Sequence, residues 1–534
     1  MSQQPIDIRP NDLSIVQQIL RDTLPTNVKV WVFGSRATWT TKDSSDLDLA
    51  IDAVRPLTRQ ESTSLAEAFD ESSLPYKVDV VDMHTVSDTF KAIIERDMVA
   101  LETENNWQLT SIDELKRQIA IGPFGSRMKS DCYVDDGIRV IRGTNLMDGR
   151  ELSGNFVFIT PDKAKELGNC NLIPGDLVFP HRGSIGEVGI VPNDEKKYIL
   201  SSSLMKLSCD YTKADPLFIY YYFKSIDGRN ELLKNASQVG TPGIGQPLAS
   251  LKSIKLKLPP LPEQKAIASV LRALDDKIEL SRQTCKTLEA MSQALFKSWF
   301  VDFDPVHAKI YGRQPYGMDA ATAALFPNSL VESELGLIPK GWNIISVYDL
   351  GTYINGASYR AFEPNEERRG LPIIKIAELK SGVTAQTRYS AVNMPEKYRI
   401  TSGDILFSWS GNPDTSIDTF VWIHGQAWLN QHIFRVVPNN IEERSFVLIA
   451  LKHLKPVFAE IARDKQTTGL GHVTIADLKR YKLVMPPTQI LDHWNKIVTS
   501  LLKQAFITES KNQTIINIRD YLLPKLISGE VSTE

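Results

Sequence analysis

Ile173-Pro-Gly-Asp-Leu-Val-Phe179 and Thr401-Ser-Gly-Asp-Ile-Leu-Phe407 are two versions of one phrase, far apart in the chain, each joining a Gly-Asp pair to an apolar run. Other pairs keep the same order: Trp107 recurs as Trp342, Gly243-Ile-Gly245 as Gly469-Leu-Gly471, and Leu258-Pro-Pro260 as Met485-Pro-Pro487. A period of roughly 230 residues is too long for a solenoid, so the pattern predicts two similar domains in tandem. Each copy opens with short β-rich segments broken by Gly, Asn and Asp, as in a loop-rich α/β module. Duplication of a binding domain suits a target with two parts.

Each copy closes on a Pro-Pro stop followed by a long helical pattern. In the first, Ile267, Leu271, Leu274, Ile278, Cys285, Leu288, Met291 and Leu295 recur at spacings near 3.5, interrupted by Ser281, and Lys277, Glu279, Arg282 and Lys286 surround them. That predicts a helix from Pro262 to about Phe303 with a seam for another helix, a rod of about 60 Å. The second copy offers Ile490, Trp494, Ile497, Leu501, Ile515 and Leu522. Two such rods can pair and hold two modules apart.

The segment ahead of the repeat is different. Val28 to Phe33 is β-branched and aromatic and runs into Gly34-Ser35, a strand delivering a tight turn; Asp46 to Asp52 and Tyr76 to Asp82 read as two more strands. Residues two apart on a strand face the same way, so Asp46 and Asp48 present paired carboxylates while Leu47, Leu49 and Ile51 fill the other face. Such a pair is costly without a cation, and Mg2+ prefers carboxylate and phosphate oxygens. Asp79 is placed to add a third carboxylate.

With 534 residues the chain is expected to hold several domains. Hydrophobic residues at 42% and charged residues at 23% exclude a mainly disordered or collagen-like protein. No apolar stretch approaches the roughly 18 residues of a membrane span, and the aromatic run Leu217 to Phe223 is strand-sized. The first ten residues do not read as a secretory signal, and Cys132, Cys170, Cys209 and Cys285 lie far apart, so a cytoplasmic location without a disulfide framework is expected. The net charge of −3 conceals an asymmetry: residues 1–106 hold 10 Lys/Arg against 18 Asp/Glu, leaving 51 against 46 beyond them. That shift marks a boundary near residue 106. The eight histidines show no HExxH set and read as ordinary residues rather than metal ligands.

Gly34-Ser35-Arg36-Ala37 followed by Ser45-Asp46-Leu47-Asp48-Leu49 resembles the minimal nucleotidyltransferase family of the polymerase-beta type, over roughly residues 10–100. The resemblance implies that Gly34 and Ser35 hold a nucleoside triphosphate, that Arg36 helps with phosphate charge, and that Asp46, Asp48 and Asp79 bind Mg2+ and form the catalytic triad. The Arg-Gly pair that often follows the alanine is replaced here by Thr38-Trp39.

Leu258-Pro-Pro-Leu-Pro-Glu-Gln264, Leu274-Asp-Asp-Lys-Ile-Glu279, Phe296-Lys-Ser-Trp-Phe-Val-Asp-Phe303 and Leu522-Leu-Pro-Lys-Leu-Ile-Ser-Gly-Glu-Val531 resemble the specificity subunit of type I restriction-modification enzymes. The expected fold is α/β multidomain: a nucleotidyltransferase-like domain (1–105), a first α/β target recognition domain (106–260), a central helical spacer (261–333), a second recognition domain (334–486) and a C-terminal helical spacer (487–534), with the spacers forming long antiparallel coiled-coil helices. The resemblance implies binding of a split double-stranded DNA sequence, with two methyltransferase subunits and restriction/translocase subunits as partners. S-adenosylmethionine and ATP belong to those partners; consistently, the chain carries no Asn-Pro-Pro-Tyr/Phe motif and no GxxxxGK[ST] loop. A nucleotidyltransferase modifying a protein or nucleic acid, with the reader used for targeting, is the competing reading. Candidate DNA contacts are polar or basic loop residues: Arg127, Lys129, Arg142, Asn145, Arg182 and Gln246 in the first copy, and Lys375, Lys380, Arg388, Asn412, Lys465, Gln466 and His472 in the second. Trp409 and Trp422 read as core.

Overall fold

The computed structural model describes residues 6–24, 28–42, 45–53, 55–101, 107–124, 127–146, 149–150, 152–237, 242–466 and 470–531. The boundary near residue 106 and Gly469 of the repeat lie outside them. The chain divides into two compact units, Met1–Asp276 with Asn517–Glu534, and Lys277–Ile516.

In the first unit, residues 28–101 build a four-stranded sheet from β1 (Lys29–Phe33), β2 (Leu47–Asp52), β3 (Val78–Asp82) and β4 (Val99–Leu101), in the order β3-β2-β1-β4. β1 is antiparallel to both neighbours, and β2 and β3 are parallel. Parallel neighbours need a crossover, and helix Arg59–Asp70 supplies it, started by a Thr58–Glu61 capping box. Val30, Val32, Leu47, Leu49 and Ile51 alternate into one core, as the period of two requires.

The repeat is real in three dimensions. One four-stranded sheet has the order Gly189–Ile190, Leu177–Pro180, Leu204–Cys209, Lys116–Ile121; in the second unit the order is Asp418–Val421, Ile405–Ser408, Ile433–Pro438, Gly351–Asn355. Beside each lies a sheet built on one parallel pair, Ile138–Ile141 with Tyr198–Leu200 and Leu371–Ile374 with Ala427–Leu429. The Gly-Asp phrase explains its own recurrence. Gly175 and Gly403 both take positive φ, +84° and +99°, which favours glycine. The Asp176 carboxylate accepts the Ile173 N–H at 3.1 Å, and the Asp404 carboxylate accepts the Thr401 N–H at 2.8 Å. The Gly-x-Gly match, by contrast, slips. Ile244 donates to the His181 carbonyl and Val473 to the Trp409 carbonyl, so Gly243-Ile244 corresponds to His472-Val473.

Leu217–Phe223 is not a strand: it lies in helix Pro216–Lys224, N-capped by Asp215, with six consecutive residues from Phe218 to Phe223 buried. A helix apolar all round sits inside the core, which removes the one-faced periodicity that betrays a surface helix. The long helices span Leu261–Phe300 and Thr488–Ser528. In the first unit Arg519 Nη1 meets Asp275 Oδ1 at 3.0 Å; within the second, the Cys285 thiol meets the Ala505 carbonyl at 3.4 Å and the Phe296 and Trp494 rings lie 6.1 Å apart. Residue numbers rise on one helix as they fall on the other, an antiparallel pair. The seam departs from expectation at two positions. Met291 and Ile497 face outward, 48% and 46% exposed, while Ser292 and Val498 are fully buried in their place. Ser292 fits because its hydroxyl donates to the Leu288 carbonyl at 2.8 Å, leaving no unpaired polar group. Trp422 is buried and Trp409 packs partly buried against Phe434, both core as expected.

Candidate functional site

Two kinds of site emerge. The first is the carboxylate cleft of the N-terminal sheet. β1 ends at Phe33 opposite Asp48, and Asp48 stands in register with Asp79 on parallel β3. Gly34 follows with φ +72°, and a Cβ there would lie 2.6 Å from Asp48 Oδ2, so only glycine lets the turn pass this close. Burial, then Asp79, then Asp46 push the Asp48 carboxyl above the usual carboxylate range, with Arg36 and Lys77 opposing. Lys77 pairs with Asp79. Among the described residues no group of three or more His, Cys, Asp or Glu side chains already converges as a metal site. The donor chemistry nevertheless suits Mg2+: a carboxyl whose proton affinity is raised by burial and two neighbouring carboxylates is stabilised by a hard cation.

Arg36 takes a different part from the one its motif suggests. It is buried, donating to the carbonyls of Asp46 (3.2 Å), Asp7 (2.9 Å) and Ser45 (2.8 Å), with its guanidinium 3.8 Å from the Tyr76 ring centroid. These bonds brace the segment that delivers Asp46. Such carbonyl partners have no sequence pattern, which is why the residue reads as a phosphate ligand from the motif.

The second kind is a pair of equivalent turns in the recognition domains. After strand Ile138–Ile141, the Arg142 N–H donates to Asn145 Oδ1 at 3.0 Å; after Leu371–Ile374, the Lys375 N–H donates to Glu378 Oε2 at 3.0 Å. A basic residue therefore opens the same turn in both copies. Asn145 itself is fully buried and donates to the carbonyls of Ser153 and Asn155, so it braces the turn and is removed from the candidate DNA contacts. Arg142 Nη2 donates to the Asn155 carbonyl at 2.7 Å, and Lys375 lies 5.0 Å from the Tyr359 ring centroid.

Beside the first turn runs loop 181–186: a Cβ on Gly143 would sit 3.5 Å from Ser184 Oγ. This brings exposed Arg182 near Arg142; Arg182 bridges Gly243, shortly before exposed Gln246. The second copy repeats the layout, with Ser410-Gly411 paired to Gly471-His472 and a Gly411 Cβ position 3.6 Å from Ile376 Cδ1. There Asn412 Oδ1 accepts the N–H groups of Asp414 and Thr415, and Lys380 donates to the Thr415 carbonyl. Lys380, Asn412 and His472 are thus gathered, and Gln466 is exposed. Lys465 pairs with buried Asp477 at 2.5 Å and Arg388 with Glu366 at 2.5 Å. Arg127 and Lys129 are exposed, with Arg127 reaching the Glu166 carbonyl.

A feature missed in the sequence lies on the long helices. Val270, Leu280 and Met291 are exposed, and so are Ile497, Ile507 and Ile518. Each of the second set follows its counterpart in the first by the same interval that separates the two Pro-Pro stops. Within each set the steps are close to three whole helical turns, so each set forms one stripe. Comparing the two helices at that interval would have found it.

The sequence profile of the type I restriction modification DNA specificity domain matches residues 125–290 and 339–518, and that of the polymerase beta nucleotidyltransferase matches residues 16–105. The chain is 27% identical over 435 residues to the HindI specificity subunit of Haemophilus influenzae, covering 72% of this chain and 93% of that one. Its N-terminal part is 42% identical over 97 residues to a probable protein adenylyltransferase, MntA, of the same species, covering 18% of this chain and 84% of the relative. The crystal structure of a type I restriction-modification S subunit from M. genitalium superposes with a TM-score of 0.50 at 18% identity, covering 80% of this chain and 98% of that one. With its two recognition domains, its paired long helices and a profile matching most of its length, the chain belongs to the family of type I restriction-modification DNA specificity subunits, and carries a nucleotidyltransferase domain at its N-terminus.

Proposed function

We propose that this chain reads a bipartite double-stranded DNA target in the cytoplasm and scaffolds two methyltransferase subunits and the restriction/translocase subunits of its system. The observation that carries the reading is the repeated turn opened by Arg142 and Lys375 on the same strand of two copies of one fold. Each copy takes one half of the site, with Arg142, Arg182 and Gln246 on one half and Lys375, Lys380, Asn412, Gln466 and His472 on the other. A well-read base pair contributes about 1–3 kcal/mol, and a stiff link between two readers multiplies their selectivity while rejecting a wrong gap. Mapping adenine methylation in cells with and without the chain tests this; unchanged methylation at a split site would refute it. Arg142→Ala is expected to relax selection in one half-site and Lys375→Ala in the other, each by about tenfold. Loss in the same half from both variants would contradict the assignment.

The two apolar stripes favour paired docking of identical subunits, one on each long helix. Exposed apolar patches on soluble proteins mark interaction sites, and their repetition at one interval supports two copies of the same partner. The doubly substituted chain Leu280→Glu, Ile507→Glu is expected to co-purify at least about tenfold less methyltransferase while keeping its own circular dichroism and melting temperature. Undiminished recovery would move the docking face elsewhere.

A second reading concerns the N-terminal domain, for which the Asp79 and Asp46 carboxylates acting on half-buried Asp48 argue. We infer that it is a Mg2+-dependent nucleotidyltransferase. Asp46, Asp48 and Asp79 would hold Mg2+, which supplies charge neutralisation for a nucleoside triphosphate. Gly34 and Ser35 present the backbone turn to phosphate oxygens, and Arg36 fixes the segment that carries Asp46.

A further inference from the structure

The two copies differ at a place where helix, sheet and long helix meet. In the first copy that place is filled. Tyr220 and Tyr221 are buried; Tyr221 donates to Asp275 Oδ2 at 2.8 Å, Arg519 grips the same carboxylate, and Arg150 pairs with Asp276. Pro216, the first residue of the helix, packs against the Gly175 turn, 3.7 Å from the position of a Cβ there, and the Tyr211 hydroxyl closes in from another side at 2.8 Å.

In the second copy the residues that fill the place are exchanged. Counting from the two helix starts, Arg444 stands where Pro216 does, Leu448 where Tyr220 does and Ile449 where Tyr221 does. Counting from the two Pro-Pro stops, Leu502 and Lys503 replace Asp275 and Asp276. The Gly403 turn, equivalent to that of Gly175, has open space where its Cβ would point. The result is a cavity of about 490 Å3, within the range of roughly 300 to 1,000 Å3 usual for small-molecule sites. Its walls include Val421, Ile423, Leu448, Leu502 and Phe506.

Arg444 lines this cavity, half-buried. It donates to the Gly403 carbonyl, and no carboxylate among the described residues forms an ion pair with it, Asp404 acting on it only through space. Of the two carboxylates in the cavity wall, Glu289 is matched by Lys452 at 2.6 Å and Glu509 faces the Cys285 thiol. A cation drawn out of water without a counter-charge is unfavourable unless an anion joins it. Lys503, exposed and also lining the cavity, adds to the positive field.

We infer that this cavity is a binding site for a small amphipathic anion, an apolar chain or ring ending in one carboxylate, with Arg444 as its anchor. The site goes beyond DNA reading and is independent of it. Isothermal titration of the full chain with sodium decanoate tests it. One saturable site per chain is expected, with decyltrimethylammonium of equal length giving none. Arg444→Met is expected to weaken decanoate by about tenfold or more, the value of a charge-assisted hydrogen bond. Leu448→Tyr, which restores the side chain of the first copy, is expected to abolish binding while the melting temperature holds. No saturable binding by the unaltered chain overturns the proposal. Binding that Leu448→Tyr leaves intact overturns the location, and equal affinity for the ammonium or for Arg444→Met overturns the anionic ligand.

Discussion

Replacing Lys206 by methionine is expected to destabilise the first recognition domain by about 3–5 kcal/mol, the cost of leaving a buried charge without its partner. Lys206 is 3% exposed and Asp176 1%, and they meet at 3.1 Å. Every other donor around that carboxylate is fixed: Ser208 Oγ at 2.5 Å and the Ile173 N–H at 3.1 Å. Lys206 also donates to the Asn171 carbonyl at 2.7 Å. With the ammonium gone, none of these neutral donors balances the charge. The second copy supplies an internal control. Val178 pairs with Lys206 across the sheet as Leu406 pairs with Arg435, so Arg435 and Asp404 are the equivalent couple. They stand 4.0 Å apart and are 21% and 25% exposed, a separation and solvation at which an ion pair contributes about 1 kcal/mol or less. Hydrogen exchange in strand Leu204–Cys209 is therefore expected to accelerate steeply in Lys206→Met, and that in Ile433–Pro438 only slightly in Arg435→Met. Lys206→Met combined with Asp176→Asn should recover part of the loss, because the uncompensated charge is then gone. Equal effects in the two copies would show that the pair does not carry the first domain's stability.

These couples also show where sequence reading stops. The Gly-Asp phrase was legible because the turn needs a glycine at positive φ and an aspartate reaching back to the start of the phrase, both local demands. The strands of the N-terminal sheet and the Asp46-x-Asp48 pattern were legible for the same reason: period two is written into consecutive residues. Lys206 was not, since an isolated lysine in an apolar run declares nothing about a carboxylate on a different strand. Asn145 resembles a base-reading side chain until its three backbone partners are seen. Met291 and Ile497 fit a seam spacing of 3.5 on paper, but that spacing drifts against the 3.6 of a straight helix, and the next residue along takes the inward place. The helix at Leu217–Phe223 did carry a signal, Asp215-Pro216, a cap followed by proline at the first helical position.

The largest functional effect is expected at Asp48. Asp48→Asn should lower Mg2+-dependent transfer of labelled nucleotide by about a hundredfold or more, since the group that would bind the cation is neutralised. The pH dependence gives a separate readout that needs no known acceptor. Burial, with Asp79 and Asp46 close by, raises the Asp48 pKa above its unfolded value, so the folded chain binds this proton more tightly than the unfolded one. Stability from this group is therefore fully present below the unfolded carboxylate pKa and lost as pH rises through the folded one. Mg2+ competes with that proton and replaces its charge, so its stabilisation should grow over the same interval. In the metal-free chain, hydrogen-exchange protection of β2 is expected to fall as pH rises above the ordinary carboxylate range, and Mg2+ should restore it at the higher pH but not below that range. Asp48→Asn should flatten both trends. Lys77→Met separates the cation from its resident rival. Lys77 pairs with Asp79 and acts on Asp46, so its removal takes away the cation that competes with Mg2+ for these carboxylates. Tighter Mg2+ binding in Lys77→Met is the expected result; weaker binding would mean that the lysine organises the cleft rather than occupying it, and that the cation is held elsewhere.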